Sequence, residues 1–328
     1  MKRGILLMNT GSPEAPTEDA VRVYLNEFLM DPFVIDLPFP LRYALVKWAI
    51  LPKRPAKSAE AYQAIWTDHG SPLVHHCRQL ADGLGVELGM AYGNPSFKQA
   101  VENLLAQGVE EIGLLPLFPQ YAAATVGSCV AGVKKAIKGR AKLRVVPPFY
   151  REPSYIQPLA EALKTVDEHI LFSYHGLPTR QLKKTDPTGA HCLKVDDCCQ
   201  VPSEAHGTCY RHQCLATTQS IVEAAGIPED RYSVSFQSRL GRAEWLAPYT
   251  DAVLRELPAK GIKQLAVICP AFFCDCLETL EEIEIQGQAS FKGAGGESFR
   301  MIPCLNNSPA GFACLEALIK KAGEWPAL

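Results

Sequence analysis

Leu171-Phe172-Ser173-Tyr174-His175-Gly176-Leu177-Pro178 carries an apolar, strand-like stretch straight into a histidine and a Gly-Leu-Pro turn. An imidazole in that position stands at the carboxyl end of a strand, where α/β sheets bind their ligands, and the glycine lets another group come close. The stretch belongs to a short apolar run at residues 169–178. Seven similar runs lie at 4–9, 86–92, 111–119, 143–150, 232–239, 264–272 and 299–305, and helix-patterned segments such as 97–107, 155–166, 214–225 and 251–260 separate them. This alternation predicts an α/β protein whose parallel sheets are covered by helices on both faces. Four runs precede residue 150 and four follow it. The expectation is therefore two similar doubly wound parallel-sheet, Rossmann-like domains, one at 1–150 and one at 151–328, the second with an insert at 186–214.

The chain has 328 residues, 47% of them apolar, which is enough to bury a core in each half and excludes a disordered or fibrous chain. Its 33 Lys and Arg against 35 Asp and Glu give a net charge of −2, so nucleic acid is not expected as a partner. The start, Met1-Lys2-Arg3-Gly4-Ile5-Leu6-Leu7-Met8-Asn9, only superficially resembles a signal peptide. Its apolar run is shorter than the roughly 7–15 residues needed, and Asn9 to Pro13 ends it as a turn. The most apolar region, residues 39–51, carries Arg42 and Lys47 and falls short of the ~20 apolar residues of a membrane span. A cytoplasmic location is expected, and a reducing setting turns the twelve cysteines away from disulfides and towards metal or redox chemistry. No Gly-rich phosphate loop follows the first run, so a nucleotide cofactor is not indicated.

Three constellations could carry chemistry. His175 could exchange protons near neutral pH, because an imidazole's unperturbed pKa is about 6.5, although a hydrogen-bonded strand-end histidine would look the same. Asp275, Glu278 and Glu282 follow the run ending at Phe272 and would share one face of an α-helix. A line of carboxylates there suits a divalent cation or proton uptake, and an acidic first turn favoured by the helix dipole is the plainer account. The segment from Phe236-Gln237-Ser238-Arg239 through Trp245 to Tyr249 could make an aromatic wall with polar anchors, or simply pack a core. Residues 179–214 form a long connection with little periodicity, and such loops are functional or held by something. Cys192, Cys198, Cys199, Cys209 and Cys214 crowd into it.

Together with Leu7 to Pro13, Gly70-Ser71-Pro72, Pro119-Gln120-Tyr121 and Glu278-Thr279-Leu280-Glu281-Glu282, these blocks resemble the ferrochelatases, enzymes that insert ferrous iron into a porphyrin, and the resemblance covers nearly the whole chain. It implies two doubly wound domains, His175 and Glu278 as catalytic residues, and an acidic path for metal or protons at Glu282 with Glu284. His175, Glu278 and Glu282 are thus the expected contacts of the substrate Fe²⁺. Where some relatives carry a second histidine, this chain has Cys276. Metallation must remove two pyrrole protons, strip water from Fe²⁺ and bend a flat macrocycle, so a near-neutral base and carboxylates suit it. Met8, Tyr92, Tyr121, Ser238 and Trp245 are the candidate porphyrin contacts.

Some members of the family hold a 2Fe-2S cluster on four thiolates, and here the insert can supply them locally: Cys192, Cys199, Cys209 and Cys214, with Cys198 as substitute. Structural zinc is the alternative. The expected reaction is insertion of Fe²⁺ into protoporphyrin IX, the last step of haem synthesis. Alternatives are a coproporphyrin III ferrochelatase, a cobalt or sirohydrochlorin chelatase, or a non-catalytic haem or Fe-S sensor. Peripheral membrane association and oligomeric state stay open.

Overall fold

The computed structural model describes residues 2–241 and 243–328, and it divides into two compact units. The first holds the parallel strands β1 (Arg3–Asn9), β2 (Glu87–Met90), β3 (Glu111–Pro116) and β4 (Lys142–Val145), in the order β2-β1-β3-β4. The second holds β5 (His169–His175), β6 (Tyr232–Gln237), β7 (Gln264–Ile268) and β8 (Ser298–Ile302), in the order β6-β5-β7-β8, again all parallel. All eight apolar runs therefore contain strands. Every residue of β3 is buried, as a strand covered on both faces requires. In the first unit Leu6, Met8, Ile112, Leu114 and Val133 build the core, and in the second Leu171, Val267, Ile283, Phe291 and Phe299 do. Among the described residues no helix is long and apolar enough to cross a membrane.

The units depart from a simple split at residue 150. Asn306–Leu328 joins the first unit, and Pro119–Ala122 joins the second. Packing explains the first exchange. The ring of Phe312, on the helix Pro309–Lys320, lies where Gly83 has no side chain, since a Cβ there would sit 2.5 Å from its Cε1. The tail then bonds to β4, with Val145 N donating to Pro326 O at 3.1 Å and Leu328 N to Leu143 O at 3.0 Å. Pro119–Ala122 is held by its own polar groups: Gln120 Nε2 donates to Thr217 Oγ1 and Pro270 O, and Tyr121 N to Gln213 Oε1.

One buried charge organises the first sheet. Glu111, on β3, is fully buried and takes Arg3 from β1 on one oxygen and Arg144 from β4 on the other, at 2.7 and 2.8 Å. Arg144 also donates to Trp325 O, tying in the tail. Burial alone would raise the Glu111 pKa, but the hydrogen bonds from Arg144 and Arg3 outweigh it and hold the carboxyl below the usual range. A depressed folded pKa means that the stabilisation is present above the unfolded value and lost as pH falls through the folded one. Glu111→Gln should cost about 2 kcal/mol at neutral pH, at the low end for a broken buried pair because both arginines reach solvent. In urea unfolding the gap from wild type should close below about pH 4; a gap constant down to acid pH would show that the charge plays no part.

Candidate active site

In the second sheet the chain goes from β5 to β6 on one side and from β7 to β8 on the other, so the carboxyl ends of β5 and β7 flank the point where the strand order reverses, the usual ligand position of such sheets. His175 is the last residue of β5 and pairs with Gln237, the last of β6. Its Nδ1 lies 2.6 Å from Gly176 O. A carbonyl only accepts, so Nδ1 donates to it, and Nε2 is the nitrogen left to take up or release a proton. Phe272, just beyond β7, sets its ring at 63° to the imidazole, with centroids 6.3 Å apart. Gly176 donates to Gln237 O at 2.8 Å. A Cβ on Gly176 would stand 2.7 Å from that same oxygen and 3.3 Å from Trp245 Cε3, so the turn closes only around glycine.

The acidic segment differs from the α-helix expected of it. Cys276 is an N-cap, Leu277–Thr279 is a short α-turn, and Leu280–Gly287 is a π-helix. The wider i→i+5 turn places Glu282 where the charges of Glu278 and His175 both act on it, and single π-turns are frequent at functional sites. Asp275 falls outside this line. It is buried ahead of the cap and accepts from Thr279 Oγ1 at 3.0 Å and from Cys304 N at 3.4 Å. Burial raises the pKa of Glu282 above its ordinary value, although hydrogen bonds from Ser238 and the charge of His175 work against the rise. Cys276 is buried, its thiol is pushed well up by burial, and it hydrogen-bonds to Glu278.

Gln237, read from sequence only as a possible polar anchor of an aromatic wall, makes more specific contacts. Its Nε2 donates to Glu278 O at 2.7 Å and reaches Glu282 Oε2 at 3.4 Å, while its Oε1 accepts from Ser173 Oγ at 2.8 Å. Ser173 bonds Thr250 Oγ1, which bonds Ser235 Oγ, and all three hydroxyls are buried. Two serines inside strands expected to be covered on both faces are the signal that could have revealed this chain, because buried hydroxyls need partners.

The candidate porphyrin contacts separate. Ser238, Trp245 and Tyr121 belong to the second unit, Trp245 beside the Gly176 turn with its Nε1 donating to Leu240 O. Met8 and Tyr92 belong to the first unit. Met8 is fully buried in that unit's core together with Leu6. Tyr92 is nearly as closed, and its hydroxyl donates to Asp31 Oδ2 at 2.7 Å.

In the insert, Asp186 gathers the chain about one carboxylate, accepting from Thr188 N and Oγ1 and from the N–H groups of His191 and Cys192. Those bonds outweigh burial and hold its pKa well below the carboxylate range. Cys199 and Cys192 hydrogen-bond to the sulfur of Cys209, whose pKa is lowered to about 6, the Cys199 bond being the main cause. Burial and the charge of Cys209 push Cys192 up to about 12. Cys198 accepts from Leu193 N at 3.4 Å and interacts with Cys192 and Cys199. Cys214 stands apart on the helix Tyr210–Ala225, fully buried and hydrogen-bonded with Tyr210. Among the described residues no group of three or more His, Cys, Asp or Glu is drawn together closely enough to hold a metal ion as it stands.

The fold and the site define an α/β protein of chelatase type. The structure resembles SirB from Bacillus subtilis solved with Fe³⁺ (TM-score 0.54, 12% identity, 98% of this chain and 96% of that one) and the sirohydrochlorin chelatase SirB from Bacillus subtilis subspecies spizizenii in complex with cobalt (TM-score 0.54, 12% identity, 99% and 96%). At that identity the likeness shows the fold. The ferrochelatase family model matches residues 2–323. Ferrochelatases of Ectopseudomonas mendocina (strain ymp) and Azotobacter vinelandii (strain DJ / ATCC BAA-1303) are 48% and 46% identical to it, the first over 98% of both chains and the second over 97% of this chain and 98% of its own. The chain belongs to the ferrochelatase family and is an enzyme of porphyrin metallation.

Gly176→Ala should fold yet lose activity on the order of tenfold or more, because the added methyl must part the ends of β5 and β6. Unchanged turnover in a ferrous iron and porphyrin assay would mean that this turn does not set the site.

Proposed function

We propose that this enzyme inserts Fe²⁺ into protoporphyrin IX, with His175 Nε2 accepting pyrrole protons and the carboxylates of Glu278 and Glu282 guiding the iron. The observation that carries this reading is the His175 to Gly176 O bond, which commits Nδ1 as a donor and leaves Nε2 as a base at the switch point of the sheet. Two pyrrole N–H bonds break and both protons leave, while Fe²⁺ exchanges water ligands for the four ring nitrogens and keeps its +2 charge. Glu278 and Glu282 lie one π-turn apart, and their mutual repulsion favours a cation beside them. A sirohydrochlorin or cobalt reading is not favoured, since the family match and the 46–48% identical relatives are ferrochelatases. None of the twelve cysteines is in a disulfide, which supports a reducing, cytoplasmic setting. In an anaerobic assay His175→Ala should lower kcat by about 10²-fold or more, with protoporphyrin IX turned over faster than coproporphyrin III by the wild type. Undiminished haem formation by the variant would remove His175 from the mechanism, and a preference for coproporphyrin would reassign the substrate.

We also infer that the insert holds a 2Fe-2S cluster on Cys192, Cys198, Cys199 and Cys209. The thiols of Cys192 and Cys199 hydrogen-bond to Cys209, and the N–H of Leu193 donates to Cys198 Sγ. Adjacent cysteines need an unusual backbone to act together, and Leu193 (φ 59°) and Asp197 (φ 50°), both ahead of Cys198, supply one. Cys214, in the ligand set expected from sequence, is turned to Tyr210 instead. When bound, a cluster would cross-link a loop that has little core of its own. Freshly purified protein should absorb in the visible, Cys192→Ser and Cys198→Ser should bleach it, and Cys214→Ser should not. Colourless protein containing zinc would favour a structural zinc site.

A further inference from the structure

Glu282 is gripped by a single residue. The N–H of Ser238 donates to Oε1 at 2.7 Å, and its hydroxyl donates to Oε2 at 2.5 Å. For one residue to present its backbone and side-chain donors to the same carboxylate, the chain must turn sharply just past β6. Ser238 does this at φ 66°, in the left-handed region that disfavours any residue with a Cβ. Glycine would take that conformation freely, so what serine adds is the hydroxyl. Gln237, itself anchored through Ser173 and Thr250, adds a third contact on Oε2 at 3.4 Å.

We propose that Ser238 is a positioning residue for iron: its two donors fix the Glu282 carboxylate against the like charge of Glu278, so that both carboxylates face the same cation at once. This rests on the reading of Glu282 as an iron-guiding group. A carboxylate has about four acceptor positions, and the clasp occupies up to three, leaving room for a metal contact. Ser238 was a candidate porphyrin contact on sequence grounds, but its hydroxyl is committed to Glu282. Its substitution should therefore affect iron and spare the porphyrin.

Steady-state kinetics under anaerobic conditions test this with Ser238→Gly, Ser238→Ala and Ser238→Thr. Glycine keeps the N–H and relieves the backbone, so folding is not at stake, and only the hydroxyl is lost. Ser238→Gly and Ser238→Ala should raise KM for Fe²⁺ about tenfold and leave KM for the porphyrin and kcat at saturating iron within twofold. Ser238→Thr, which restores a hydroxyl, should recover most of the loss. In a Glu282→Gln background the glycine variant should cause no further change. A rise in porphyrin KM instead would make Ser238 a substrate contact and overturn the proposal, as would an undiminished effect in the Glu282→Gln background. A Glu282→Gln enzyme with an unchanged iron KM would strike at the reading of Glu282 itself, and that result is distinct from a failure of Ser238 alone.

Discussion

The hydrogen bond from Gly176 N to Gln237 O, 2.8 Å long, carries the pairing of β5 and β6 one step beyond the sheet, and the site depends on it. It fixes where β5 stops, and hence where the His175 ring emerges, and it holds the backbone of Gln237, whose side chain bonds both the Glu278 carbonyl and Glu282. A parallel pair has no hairpin to set its register, so the ends of such strands are located by their own hydrogen bonds and by what packs on them. Here glycine is required because the approaching group is a backbone oxygen that cannot step aside. The neighbouring isolated bridges, Pro178 with Trp245 and Phe236 with Tyr249, fasten the following turns to the same edge.

Behind that edge the polar chain of Ser235, Thr250, Ser173 and Gln237 runs through the interior of the unit. Each hydroxyl there would cost free energy if left unpaired, so the chain is stable only when complete. Completeness has a geometric consequence, because it leaves the Gln237 amide one orientation: its oxygen is taken by Ser173, and its nitrogen must face the π-helix. The orientation of an active-site amide is thus decided by buried residues that touch no substrate.

Much of this was legible in the sequence, for identifiable reasons. All eight strands were readable because buried parallel strands leave short apolar runs, and His175 drew notice because its run ends in a glycine turn. The return of residues 306–328 to the first unit was not readable, since nothing local tells Phe312 that its socket is made by the missing side chain of Gly83. The π-helix at Leu280–Gly287 was missed because its acidic residues also satisfy an α-helical spacing, and only the real turn shows that Asp275 leaves the line while Glu282 stays.

The insert presents a different balance from the rest of the unit. Its order comes from polar anchors: the Asp186 carboxylate with its ring of donors, and three imidazoles, of which His191 and His206 bond Cys198 O and His212 bonds Cys199 O. His206 and His212 stack at 3.6 Å, nearly parallel. Cys198 and Cys199 are thereby held by their carbonyls while their thiols stay available to one another and to Cys192 and Cys209. The order of this loop thus rests on polar bonds to its backbone carbonyls and amides as well as on the burial of its cysteines.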